Sequence, residues 1–529
     1  MFRTNNVKNE QISLLSKMNE WSNYKTKLLK NSWAETFRNV IMPNIDEEPY
    51  KVLYSDISSR PNTPVNYLIG LLIIKSLMGL SDEELINAAF FDEKIQYALG
   101  TLDYINQPIS KNMISNFRVR LYEYNDEAGI DLFENTMKEL NDNIVEISKV
   151  NKTLKRVDSL MISSSCKRMT RTELIYKVNE RFIKLLNKSG EKLNDEYKKY
   201  LDEDNEVDVL YRVKEEELTG KLTMLLNQSI SLYKKYKHNK KYNETIEFKQ
   251  LERLISEQYD DKENKPKSGK EIKPTSMQTP YDEKATYRFK YKGNIGYVGN
   301  IVETIDTEKE VALITDWDLA PNVKSDLEFM QEIIEEKKEN EIETKETYIT
   351  DAAYFSGEVN EQAKEANIEL HPTDMTGKKD IKETNLANFE LDENKNIIEC
   401  PNGKKPIESK YCESNDTIYA TFDKESCKDC PNIKKCPIRL FKKINKLTVS
   451  TKQIETAKVK EGRNTNEYKE LSRKRSGIEG INSLLRYKYH IDRRQTKGLA
   501  YLTVVFTTSI LSINIKRITK INKIVNNNA

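Results

Sequence analysis

The stretch LKRVDSLMI, Leu154–Ile162, places one carboxylate, Asp158, in the middle of a short apolar-rich run. Such a run is consistent with a buried strand. An acid inside a strand is disfavoured by propensity and costly to bury without a partner. A second run of the same kind, ETYITDAAY (Glu346–Tyr354), gives way to a turn at Asp351. Each Asp has two readings. It caps the turn that follows, or it belongs to a carboxylate cluster, which repels itself until divalent cations bind.

Working outward, GYVGNIVETI (Gly296–Ile305), VALITDW (Val311–Trp317) and Ala366–Leu370 also read as strands, with a helix around Asp326–Lys338. The order is strand, helical insertion, strand, strand, helix, strand, strand, insertion, helix. It predicts an α/β fold: a mixed sheet of RNase H type with helices on both faces. Residues 151–168 and 281–395 form the first part of this core, and 441–529 its C-terminal part with basic helices. Residues 169–280 form a helical insertion and linker, and 396–440 a Cys-rich insertion. Residues 1–150 read as an all-α domain for DNA binding or dimerisation. In it, Ser81-Asp-Glu-Glu84 has the form of a capping box.

The chain has 529 residues, 86 Lys+Arg and 84 Asp+Glu, so its global charge says little about partners. The distribution says more. From Pro437 to Ala529 there are 21 Lys/Arg against six Asp/Glu, a surplus of 15. A basic segment of that size suits a polyanion, most simply nucleic acid; a solvated surface is the bland alternative. The start MFRTNNVKNEQ lacks the apolar region of a signal peptide. The apolar runs 67–80 and 498–513 read as core helices rather than membrane spans. Six cysteines in so long a chain do not suggest a secreted disulfide scaffold. A cytoplasmic protein without membrane partners is expected.

The basic segment contains RKRSGIEGINSLLRYKYHIDRR (Arg473–Arg494), read as an amphipathic helix whose cations surround one acid, Glu479. Arg475, Glu479, Asn482 and Arg486 recur at i, i+4, i+7 and i+11 and share one stripe. Glu479 is an ion-pair partner of Arg475 or a ligand for something else.

Taken together, VDSLMI (157–162), YITDAAYFSGE (348–358) and RSGIEGINSLLR (475–486) resemble the three catalytic blocks of DDE transposases from bacterial insertion sequences. The third block is also similar to the signature in which Tyr, Arg, Glu and Lys recur along the catalytic helix. Arg475 matches the Arg, Arg486 replaces the Lys, and the Tyr position holds Ser472. Arg60–Pro64, Tyr281–Arg288 with Gly296-Tyr297, and His371–Gly377 extend the resemblance over residues from about 50 to about 515.

The resemblance implies that Asp158, Asp351 and Glu479 are a catalytic triad holding two Mg²⁺ ions, with Mn²⁺ able to substitute. It implies metal-dependent cleavage and strand transfer of double-stranded DNA, at the element's terminal inverted repeats and into a target, by a homodimer in the DNA complex. Arg475, Asn482, Arg486, Lys488, Arg493 and Arg494 are the candidate DNA contacts. A catalytically inactive DNA-binding derivative, or a nuclease with the same core, are the other functions considered.

Five cysteines crowd into Cys400–Cys436, where Cys427-Lys-Asp-Cys430 is a CxxC and Cys400 begins the turn Cys-Pro-Asn-Gly. Four thiolates from such turns make a tetrahedral structural zinc site. The set Cys400, Cys427, Cys430 and Cys436 is expected, with Cys412 the alternative to Cys400, against a bland reading of free thiols in a polar loop. Transposases similar to this chain carry a Cys-rich insertion between the second Asp and the Glu. Cys166 stands apart, and His238, His371 and His490 occur in unrelated settings.

Overall fold

The computed structural model describes residues 2–4, 16–55, 62–110, 112–211, 217–290, 292–373, 386–462, 465–492 and 497–528. A six-stranded mixed sheet forms its centre: β1 (Leu154–Ser163), β2 (Thr286–Lys290), β3 (Lys292–Asp306), β4 (Val311–Pro321), β5 (Glu346–Asp351) and β6 (Ile368–Thr373). β3 pairs antiparallel with β2, with β4 and with β1, where Asp158 faces Ile301 across the ladder. β1 then pairs parallel with β5, and β5 with β6. The parallel strands need crossovers, supplied by α8 (Asp326–Glu339) between β4 and β5 and α9 (Gly357–Glu365) between β5 and β6.

Alternation along β1 divides its side chains between two cores. Val157 packs with Phe329, Met330 and Ile333 of α8 and Val359 of α9. Leu160 and Ile162 point the other way, into a core shared with Ile478, Ile481 and Leu485 and with Phe506 and Ile510 of α13 (Leu499–Asn528). Asp158 shares the face of Leu160 and Ile162 by the period of two. The sheet is therefore covered by helices on both faces.

Among the described residues before β1 there is no strand. This region holds α1 (Val65–Met78), α2 (Asp82–Phe91), α3 (Met113–Ala128) and α4 (Leu132–Ser148). The Ser81 capping box forms in full: the Ser81 hydroxyl accepts from the Glu84 amide, and the Glu84 carboxylate from the Ser81 amide. These helices do not stand apart. α13 packs against α1, α4 and β4, and one continuous apolar core runs from Phe37 through Ile73 and Leu140 to Trp317 and Ile510. The segment Leu499–Ile521 is long and apolar enough to cross a membrane, but 72% of its most apolar window is buried inside the molecule.

The helical insertion contains α5 (Arg171–Lys188), α6 (Leu218–Tyr236) and α7 (Ile246–Gln258), which close a core of their own around Phe182, Leu226 and Leu251. The cysteine-bearing region departs from a loop-like polar insertion. Strands β7 (Glu408–Cys412), β8 (Thr417–Asp423) and β9 (Ile444–Ser450) form an antiparallel sheet, and β9 pairs along β8. Ile418, Ala420, Phe422, Leu447 and Val449 alternate into a small apolar core, so period-two burial orders the region. It is followed by α10 (Thr451–Gly462), α11 (Asn466–Arg475) and α12 (Gly477–Ser483). Over its described part, 473–492, the basic stretch thus contains the end of one helix, a second helix and a single π turn, Leu484–Lys488, rather than one helix.

Candidate active site

Two neighbouring strands bring two acids together. Asp158 lies near the centre of β1, and Asp351 closes β5, two strands that run parallel side by side. Arg475, the last residue of α11, reaches both: its Nη2 is 3.5 Å from Asp158 Oδ1 and 4.0 Å from Asp351 Oδ2. Those two oxygens are therefore no more than 7.5 Å apart. Asn482, two turns on, donates from Nδ2 to the other oxygen of Asp158 at 2.9 Å. Burial pushes the Asp158 carboxyl above its ordinary value, the Arg475 guanidinium opposes this, and the nearby charge of Asp351 raises it further. Asp351 also caps the turn that follows, accepting from the Ala352 amide at 2.6 Å. The capping reading thus holds for this residue.

Glu479 lies on α12, four residues after Arg475 at the end of α11 and three before Asn482. Its side chain is exposed and forms no ion pair among the described residues. Arg475 turns instead to the two aspartates. Among the described residues no three His, Cys, Asp or Glu side chains are close enough to hold a metal ion as they stand.

The path from Lys474 to Asp492 follows β1 step by step. The Lys474 carbonyl accepts from Arg156, Asn482 meets Asp158, Arg486 Nη2 donates to the Met161 carbonyl at 3.1 Å, and Asp492 accepts from the Ser163 amide at 3.1 Å. Sequence reading missed the anchor of this ladder. Arg156 pairs with the fully buried Glu303 of β3, which also takes Arg517 of α13 at 2.7 Å. The Arg156 guanidinium lies where a Cβ on residue 477 would be, so Gly477 is required for the close approach and marks the break between α11 and α12. The alternation of Arg156 with Asp158 on one strand face was the available signal.

Of the candidate DNA contacts, Arg475 and Asn482 are engaged with Asp158, Arg486 also lies 3.8 Å from Asp492, and Lys488 is exposed. Lys516 of α13, whose Nζ donates to the Leu77 carbonyl, is pushed down to about 8 by burial and by the ammonium of Lys488 beside it. Arg493 and Arg494 lie outside the described residues, as does 374–377 of the His371 segment. Ser472 stands where an aromatic residue was expected. One turn earlier Tyr468 fills a related place, its ring 4.1 Å from that of His371 and its hydroxyl donating to the Pro372 carbonyl.

The cysteines sort themselves. Cys400, Cys427, Cys430 and Cys436 line one small cavity of about 20 Å³, walled by Phe389, Phe422 and Ile438. Burial pushes the Cys427 and Cys436 thiols up, and the neighbouring thiols of the set add to it. Cys412 is directed elsewhere, with its Sγ 3.2 Å from Ser414 Oγ.

Two protein families match this chain. Residues 399–519 match a family described as Transposase DDE domain, and residues 23–120 one described as Transposase domain (DUF772). Comparison with curated proteins and with solved structures gave no match. The DDE-domain match contains Glu479 and the four convergent cysteines, and Asp158 and Asp351 lie between the two matched segments. The two matches, one near each end of the chain, indicate a DDE transposase of the insertion-sequence type.

Proposed function

We propose that the protein binds the terminal inverted repeats of its element and catalyses Mg²⁺-dependent DNA cleavage and strand transfer on an RNase H-like core. The observation that carries this is the Arg475 guanidinium set between Asp158 and Asp351, with Glu479 four residues further on in α12. Two carboxylates that share one counter-charge in a partly buried place form an oxygen-rich donor set that fits a hard divalent cation. Antiparallel pairing of β2, β3, β4 and β1, continued by β5 and β6 running parallel to β1, supports the core assignment.

Asp158, Asp351 and Glu479 would hold the metal. Bound there, Mg²⁺ supplies charge neutralisation at the scissile phosphate and activation of the attacking oxygen. The chain's own residues do the rest. Asn482 fixes the orientation of the Asp158 carboxylate, and Arg475 balances the acids until they are needed and is then placed to contact phosphate. Arg486, Lys488, Arg493 and Arg494 provide sequence-independent phosphate contacts, which give affinity and register. A homodimer in the DNA complex, located in the cytoplasm, follows from the same reading.

A second reading concerns the cysteines. The four thiols of Cys400, Cys427, Cys430 and Cys436 border one small cavity, which supports a structural Zn²⁺ site in which they would close in on the ion, with Cys412 lying apart.

The test is incubation of the protein with duplex DNA carrying the inverted repeats that flank its gene. Cleavage at the element ends that requires Mg²⁺ and leaves 3′-hydroxyls is the expected result. DNA binding without cleavage in any divalent metal would favour a non-catalytic derivative. Cleavage at the ends without joining to a target would favour a nuclease.

A further inference from the structure

The helical insertion segregates its charge. From Leu218 to Asn243 there are six lysines and no acid, whereas Asp202–Glu217 holds eight acids. A face that serves only solubility interleaves the two signs. The lysines concentrate at the turn joining α6 to α7. Lys234, Lys235, Lys237, Lys240 and Lys241 are exposed there together with His238.

The turn is rigidly built. Tyr236 and Tyr242 are buried pegs whose rings meet edge to face at 5.5 Å, and both pack edge-on against Phe182 of α5. The amide of Asn239 donates to the Tyr236 carbonyl, and the amide of Tyr242 to the Asn239 carbonyl, each at 2.9 Å. Thr245 caps the helix that follows. Lys234, Lys237 and Lys240 take part in no ion pair among the described residues. Glu191 accepts from the Tyr242 hydroxyl and Glu244 pairs with Lys249.

The position is suggestive as well. The insertion leaves from the end of β1 beyond Asp158, where Arg486 and Asp492 also meet the strand. Lys241 touches the Ser189 carbonyl just past the end of α5, and the 18 residues of that helix span about 27 Å. The basic turn thus lies by the far end of a helix that follows this end of β1 in the chain.

We infer that the turn Lys234–Lys241 is a second DNA-backbone contact, which grips duplex phosphates at a distance from the cleavage site. The inference rests on the reading of the protein as a DNA-binding transposase. Three lysines directed at phosphates release about three counterions, so their loss lowers the salt dependence of binding by two to three units of log–log slope.

The experiment is fluorescence anisotropy of the full-length protein with a labelled element-end duplex and with a random duplex, over a range of KCl. The triple variant Lys234→Ala, Lys237→Ala, Lys240→Ala is expected to bind both about tenfold or more weakly, with a slope shallower by about two to three. The triple Lys→Arg variant should retain wild-type affinity and slope. Unchanged affinity and slope in the alanine variant, or equal loss in the arginine variant, would overturn the inference while leaving the active-site reading intact. A wild-type protein that binds no duplex at all would overturn both.

Discussion

Arg475 and Asp158 form an ion pair across the seam between α11 and the sheet, Nη2 to Oδ1 at 3.5 Å, and the same nitrogen lies 4.0 Å from Asp351. The guanidinium occupies the neighbourhood that the triad reading assigns to a cation. Arg475→Ala is therefore expected to leave two mutually repelling carboxylates and to lower stability in the absence of metal. Mg²⁺ should raise the melting temperature of this variant more than that of the wild type. Thermal melts with and without Mg²⁺ check it; equal metal-induced shifts would show that the arginine and the ion do not compete.

Asn482 holds one oxygen of Asp158, so its removal disturbs orientation rather than charge. For Asn482→Ala the expected outcome is a cleavage rate reduced by about tenfold to a hundredfold, with DNA affinity nearly unchanged. Single-turnover cleavage at saturating DNA separates the two effects. A change confined to affinity would make Asn482 a DNA contact instead.

Gly477→Ala places a methyl group against the Arg156 guanidinium, which is held by the buried Glu303. Either the helix moves or the ion pair opens, and breaking a buried pair costs about 3–5 kcal/mol. Chemical denaturation should show a loss of that order, together with weakened cleavage. Wild-type stability would mean that Arg156 has room to move aside.

Zinc analysis distinguishes the cysteines. Cys427→Ser and Cys400→Ser should lose bound zinc and destabilise the sheet of β7, β8 and β9, while Cys412→Ser should keep both. Elemental analysis of purified protein checks this. Zinc-free wild-type protein would leave the four thiols as reduced packing groups around their cavity.

Glu134 on α4 gives a pH signature. Burial pushes its carboxyl up to about 7, against an ordinary value of 4.5, with Lys138 opposing and Asp131 adding to the rise. The folded state thus holds a proton that the unfolded state releases earlier. Its contribution is present below pH 4.5 and is lost as pH rises through 7. Glu134→Gln should therefore stabilise the protein at pH 8, by on the order of 1–3 kcal/mol, and have little effect at pH 4.5. Melting temperatures of both proteins at the two pH values test the sign.

Much of the sheet was legible because its strands carry local signals. Val157, Leu160 and Ile162 are apolar around a single acid, and YITD ends where Ala-Ala-Tyr-Phe-Ser-Gly cannot continue a strand. The cysteine sheet was not legible. Ile418, Ala420, Phe422, Leu447 and Val449 do alternate, but Lys, Asn and Thr between them gave the segment a loop-like composition. The break at Ser476–Gly477 escaped for another reason. It depends on Arg156, more than 300 residues earlier, and on Glu303, a buried acid whose partners only the tertiary fold supplies. The stripe of Arg475, Glu479, Asn482 and Arg486 was visible from spacing alone, but the choice of Arg475 between Glu479 and the two aspartates was a matter of geometry.

The central claim is that Glu479 acts with Asp158 and Asp351 as one metal-binding set. Its most direct measurement is Mg²⁺-dependent cleavage of element-end DNA by Asp158→Asn, Asp351→Asn and Glu479→Gln, each checked for DNA binding. The account predicts that all three lose at least about a hundredfold in cleavage while binding DNA with near wild-type affinity. Cleavage by Glu479→Gln at the wild-type rate would contradict it.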